Sequence, residues 1–114
     1  MTVKELADSL NLHVIAQGSW AGRPVAGCYL GDLLSRVMSH LEQDQVWITV
    51  MGNVNSVAVA SLTDCACVLL CEDAPLTEDA QKRAAENNIT VLSSSEPAYT
   101  LACRIGKLLE TDQN

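Results

Sequence analysis

The side chains in this chain with most chemical potential are its thiols, and three of them crowd into one short run, Cys65-Ala-Cys67-Val-Leu-Leu-Cys71. Clustered cysteines suggest thiolate ligation of zinc or of an iron–sulfur centre. The spacing, however, is not C-x-x-C. On a strand, positions 65, 67 and 71 share one face and stretch over about 20 Å at 3.3 Å per residue, too far for one tetrahedral ion. No second cysteine pair and no nearby histidine completes a zinc set. The competing reading is a set of buried free thiols filling a core. With Cys28 and Cys103 the cysteines number five, an odd count, and three lie inside apolar stretches. That pattern is unlike a secreted disulfide scaffold and predicts a reducing, cytoplasmic setting.

Catalysis needs a base, and only His13 and His40 titrate near neutrality without help. His13 falls within a strand pattern and His40 near the end of a helical one, neither beside a nucleophile in sequence. There is no G-x-x-x-x-G-K-[ST] loop, no G-x-G-x-x-G after a strand and no G-x-S-x-G elbow. No catalytic residue, cofactor or metal is therefore expected.

Small-molecule binding is the remaining chemistry. Open α/β sheets bind ligands beyond the carboxyl ends of their parallel strands, and helix starts there offer backbone N–H groups to anions. The corresponding segments are Gly31-Asp32, Gly52-Asn53-Val54-Asn55-Ser56, Glu72-Asp73 and Ser93-Ser94-Ser95. Asn53, Asn55, Ser93 and Ser94 offer neutral hydrogen bonds. Asp32, Glu72 and Asp73 repel a bare phosphate. The same residue types serve as ordinary helix caps, so both readings stand at this point.

These groups must be positioned by regular elements. Thr2-Val-Lys-Glu5 is a capping box opening a short helix over residues 3–9. Leu12–Gln17 and Val25–Leu30 read as strands around a turn marked by Gly18, Gly22 and Pro24, close enough to pair as a hairpin. A helix starts at Gly31-Asp32, with Leu33, Leu34, Val37, Met38 and Leu41 on its apolar face. Val46–Met51 and Ala66–Cys71 are continuous apolar runs, as in strands buried on both faces. The small-residue segment Ser56–Thr63 between them predicts a helix, with Val57, Ala60 and Ser61 against the sheet. Thr77 caps a helix to Asn87, and Ile89–Leu92 is the last strand. Pro97 suits the first turn of a final helix whose apolar face includes Tyr99, Leu101, Ala102, Ile105, Leu108 and Leu109. The order α-β-β-α-β-α-β-α-β-α predicts a three-layer α/β/α fold with a mostly parallel or mixed five-stranded sheet. One domain is expected over residues 1–110, with a polar, frayed tail over 111–114.

Bulk composition narrows the partners. Acidic residues outnumber basic ones by fourteen to seven, for a formal charge of −7, and the basic residues are scattered. Nucleic acid and anionic membrane surfaces are poor partners for such a chain. The apolar runs are too short to span a bilayer, and the start lacks the pattern of a secretory signal. Phe is absent, so aliphatic, alanine and cysteine side chains must build the core.

One stretch carries a resemblance. Gly22-Arg23-Pro24-Val25-Ala26-Gly27-Cys28-Tyr29-Leu30-Gly31-Asp32-Leu33-Leu34-Ser35 resembles the signature of the DRTGG domain family. The likeness continues through Val46-Trp47-Ile48-Thr49, through Asn55 with Val57-Ala58-Val59-Ala60, and through Val91-Leu92-Ser93, in the expected order. The family's residues carry over as Arg23, Gly27, Asp32 and Asn55. Gly22 stands where the family prefers Asp, and Cys28 where it prefers a second Gly. If that Asp pairs with the arginine, the turn here must be held otherwise. Such domains resemble the N-terminal domain of HPr kinase/phosphorylase without its P-loop domain, and they accompany other modules in regulated enzymes. The resemblance thus implies a non-catalytic regulatory or assembly domain. It implies a homodimer with a metabolite, a nucleotide or another protein as further partner; its residues Arg23, Gly27, Asp32 and Asn55, together with Asn53, Ser93 and Ser94 from the strand-end loops, make the expected ligand contacts. The alternative is a cysteine-based metal-binding or redox-linked protein.

Overall fold

The computed structural model describes residues 1–112. Helix α1 (Val3–Ser9) is followed by strands β1 (His13–Ala16) and β2 (Gly27–Leu30), then α2 (Leu34–His40), β3 (Gln45–Thr49), α3 (Val54–Thr63), β4 (Cys67–Leu70), α4 (Glu78–Glu86), β5 (Val91–Ser93) and α5 (Ala98–Asp112). The expected order of elements is the observed one. The predicted capping box opens α1, with Thr2 and Glu5 bonded reciprocally, and Thr77 caps α4. Helix α5 includes Thr111 and Asp112 of the expected tail. The rest of the expected tail, residues 113–114, lies outside the described residues.

The five strands form one sheet in the order β1-β5-β4-β3-β2. β2, β3, β4 and β5 run parallel, and β1 joins β5 antiparallel with an irregularity at Ile15. The expected β1–β2 hairpin does not form, and these two strands are the opposite edges of the sheet. Burial explains the sorting. β3 and β4 are almost wholly buried and take the middle, whereas β1 and β2 carry half-exposed residues. The connection between the edge strands is instead strapped to the start of α1, where Val3 N donates to Arg23 O and Val25 N to Met1 O.

From β2 to β5 each crossover moves one strand in the same direction. A common crossover hand therefore puts α2, α3 and α4 on one face. Val37, Val57, Val59, Ala60, Ala80 and Ala84 pack there against Trp47, Val68, Leu70 and Val91. The alternate residues Val46, Ile48, Cys67, Leu69 and Leu92 face the other way. They meet Val3 and Leu6 of α1 and Leu101 and Ile105 of α5. Period-two alternation along buried strands thus feeds two cores. Four residues expected on apolar faces or against the sheet, Leu33, Met38, Ser61 and Tyr99, are exposed instead.

Candidate functional site

The sheet has two ends, and the expected site residues divide between them. Asp32, Asn53, Asn55, Ser93 and Ser94 lie around the carboxyl ends of the parallel strands, in the segments that follow β2, β3 and β5. Arg23 and Gly27 lie at the amino ends, Gly27 opening β2 opposite Gln45. With strands of four to five residues, the ends are separated by about 13–17 Å at 3.3 Å per residue. One small ligand cannot touch both groups, so the structure does not gather the expected set into one site.

At the carboxyl end the polar groups are largely spoken for. Asp32 is exposed but does not cap α2. Its carboxylate accepts from the Thr49 hydroxyl at 2.7 Å and from Val50 N at 3.0 Å. Thr49 is buried, so its hydroxyl needs such a partner. The start of α2 shifts accordingly: Leu33 occupies the cap position, and the helix begins at Leu34 with no side-chain cap. Asn53 is the N-cap of α3, its Oδ1 accepting from Asn55 N at 3.0 Å and Ser56 N at 3.1 Å. Asn55 stands exposed in the first turn of that helix.

Glu72 and Asp73 both take left-handed backbone conformations, with φ of 56° each, and Ala74 N closes the turn onto Cys71 O at 3.0 Å. Their N–H groups donate to Glu96 O and Ser94 O, and Ser94 Oγ accepts from Glu96 N. The backbone donors that an anion would need here are therefore occupied. This end also exposes Leu30, Leu33 and Val50, the last held beside Asp32 by its own N–H.

The amino end is organised around Arg23. Its Nη1 donates to Asp64 Oδ1 at 2.9 Å, its Nη2 to the Asp64 carbonyl, and its Nε lies 3.0 Å from Asp44 Oδ1. The Nε contact is an ion pair rather than an aligned hydrogen bond. Arg23 pulls the Asp64 carboxyl below its ordinary value, with a further contribution from Gln43, whose amide donates at 2.8 Å. Both aspartates sit in the left-handed region, with φ of 66° at Asp44 and 56° at Asp64. Aspartate tolerates that conformation better than most residues.

The turn that lacks the family's preferred Asp at position 22 is therefore held by aspartates from two distant loops. Neither was visible as a partner in sequence, because they lie 21 and 41 residues from Arg23 in the chain and belong to no motif with it. Beside Arg23 opens a polar cavity of about 170 Å³, with Ser19, Asp64, Asn88 and Thr90 also in its wall. Gly18 lets the loop close on it, since a Cβ there would stand 2.4 Å from Asn88 O.

The cysteines do not converge. Cys67 and Cys71 belong to the core shared with α1 and α5, whereas Cys65, expected on the same face, precedes β4 and packs on the opposite side. Burial pushes the Cys28 and Cys65 thiols up to about 12, and it raises Cys67 and Cys71 as well. Such groups are thiols, not thiolates, at neutral pH. Among the described residues no group of three or more His, Cys, Asp or Glu side chains is placed to hold a metal ion. His13 and His40 stay apart, His40 stacking on Tyr29 with ring centroids 6.3 Å apart. No described helix is long and apolar enough to cross a membrane.

A five-stranded mixed sheet between two helical layers, with an arginine clamp at one end and capped, apolar-fringed loops at the other, defines a compact α/β module. The sequence matches the DRTGG domain over residues 5–108. The chain thus belongs to the DRTGG domain family. Its fold is shared with the regulatory region of a Clostridium perfringens pyrophosphatase, comprising CBS and DRTGG domains complexed with the activator diadenosine tetraphosphate. The TM-score is 0.69 at 11% identity, covering 88% of this chain and 44% of that one. The chain thus spans less than half the length of that structure. No curated protein matches it.

Proposed function

We propose that this chain is a non-catalytic regulatory or assembly domain that works as a homodimer and responds to a small metabolite or nucleotide. The observation that carries the reading is membership of the DRTGG family over residues 5–108, in a fold shared with the regulatory region of an enzyme. That region is complexed with a nucleotide activator, which makes nucleotides the first ligands to try. The local chemistry agrees. The buried thiols are protonated, and Arg23 at one end of the sheet and Asp32 at the other are engaged in holding loops. The exposed Leu30, Leu33 and Val50 give the carboxyl end an apolar fringe suited to contact with another surface.

The test joins light scattering over a wide concentration range with a thermal-shift screen of nucleotides and phosphorylated metabolites. A dimer, and a melting temperature raised by one ligand class in a saturable way, is the expected result. A monomer at every concentration, together with no ligand effect, would refute the reading.

A further inference from the structure

The polar cavity beside Arg23 has a neighbour. A second cavity of about 230 Å³ lies between α3 and α4, and the two share Ser61 and Asn87 in their walls. The second half has a different character, walled by Val54, Val57 and Leu62 with Arg83 at its edge. Leu62 is 73% exposed and so is open to a ligand in this cavity. Taken together, the two adjoining cavities reach the lower part of the range in which small organic ligands are held, about 300–1,000 Å³. They also show the composition such pockets have, an apolar wall with a few convergent polar groups.

The polar half offers both donors and acceptors without a free cation. Arg23 is engaged with Asp44 and Asp64, so the guanidinium is already matched by two carboxylates and an added anion would meet net repulsion. The Thr90 hydroxyl accepts from Gly18 N at 2.9 Å, which leaves its own proton to donate. Asn87 donates through Nδ2 to Arg83 O at 2.8 Å, which leaves Oδ1 to accept. Ser61 lies between the halves, at the surface, able to do either.

From this pairing we infer that the amino-end cleft binds an uncharged heterocycle of the nucleobase type. Its hydrogen-bonding edge meets Ser61, Asn87 and Thr90, and one ring face lies on Val57 and Leu62. The inference rests on the reading of the chain as a ligand-responsive domain, and it moves the site from the carboxyl to the amino ends of the strands.

The test is a titration of the full chain with adenosine, followed by amide nitrogen–proton correlation spectra. Saturable shifts are expected at Ser61, Leu62, Asn87 and Thr90, with a dissociation constant on the order of 1 mM or tighter. Ser61→Leu fills the junction from an exposed position and should weaken binding at least about tenfold. Leu62→Lys, more exposed still, removes the apolar wall and serves if Ser61→Leu fails to fold. Lys107→Ala, at an exposed position of α5 away from the cleft, should leave the affinity unchanged.

Adenosine shifts at Asp32, Asn53 and Ser94 that survive Ser61→Leu would overturn the inference, yet leave the regulatory reading standing. Absence of any saturable shift with adenosine, or movement of the cleft amides by inorganic phosphate alone, would also overturn it. The regulatory reading fails by a separate observation, a monomer insensitive to every metabolite.

Discussion

Replacing Arg23 by methionine isolates the electrostatic part of the clamp, because methionine keeps most of the apolar stem that arginine lays along its neighbours. The change removes two hydrogen bonds to Asp64 and the ion pair to Asp44, and leaves two aspartates facing one another's loops without a cation. A hydrogen bond to a charged group contributes about 1.5–3 kcal/mol when shielded, and solvent screening reduces this for exposed pairs. The Arg23 side chain is 25% exposed and that of Asp64 54%, so screening is substantial. The expected loss is therefore about 1–2 kcal/mol, or roughly 4–8 °C in melting temperature for a domain of this size.

Asp64→Asn supplies the second arm of a cycle, since asparagine also tolerates the left-handed backbone at that position. Loss of the coupling should leave the double variant less destabilised than the sum of the singles by about 1 kcal/mol. The pH dependence has a definite sign. Asp64 is held below its ordinary value in the folded state, mainly by Arg23. Its contribution is complete above the ordinary aspartate value and is lost as pH falls through the lower folded-state value. The gap between parent and Arg23→Met should thus be full at pH 7 and close in acid. Chemical or thermal unfolding followed by circular dichroism reads all three quantities. A variant melting within about 1 °C of the parent at pH 7, or additive singles, would refute the clamp.

Three further outcomes are expected. Gly52→Ala should destabilise by about 1–3 kcal/mol, because its Cβ would stand 2.0 Å from Pro75 O in the neighbouring loop; thermal melting measures it. Asp32→Ala should cost about 1–3 kcal/mol by leaving the buried Thr49 hydroxyl proton without an acceptor, and Asp32→Asn should recover part of it; a denaturant series on the three proteins checks this. In a thiol titration of the native protein, Cys103 should react fast and Cys65, Cys67 and Cys71 only on unfolding, since Cys103 alone is exposed and the other three are buried; rapid native reaction of all five would contradict the packing.

The order and kind of the ten elements among the described residues were legible from the residues alone. That information is local: the Thr2–Glu5 box, the Thr77 cap and the uninterrupted apolar runs at β3 and β4 act between near neighbours in the chain. The family could be read at the same level, from Arg23 and Gly27 to Asp32 and Asn55. Only the tertiary structure decided what these residues meet. It sent β1 to the far edge beside β5, because the most apolar strands claim the middle and the half-polar ones are left outside. It placed Arg23 and Asp32 at opposite ends of the sheet, because a parallel strand carries its preceding and following loops to different ends. It paired Arg23 with Asp44 and Asp64 and turned Asp32 toward Thr49. Those partners lie 17 to 41 residues away in the chain. Contacts of that separation depend on which strands become neighbours, and no pattern within one segment records them.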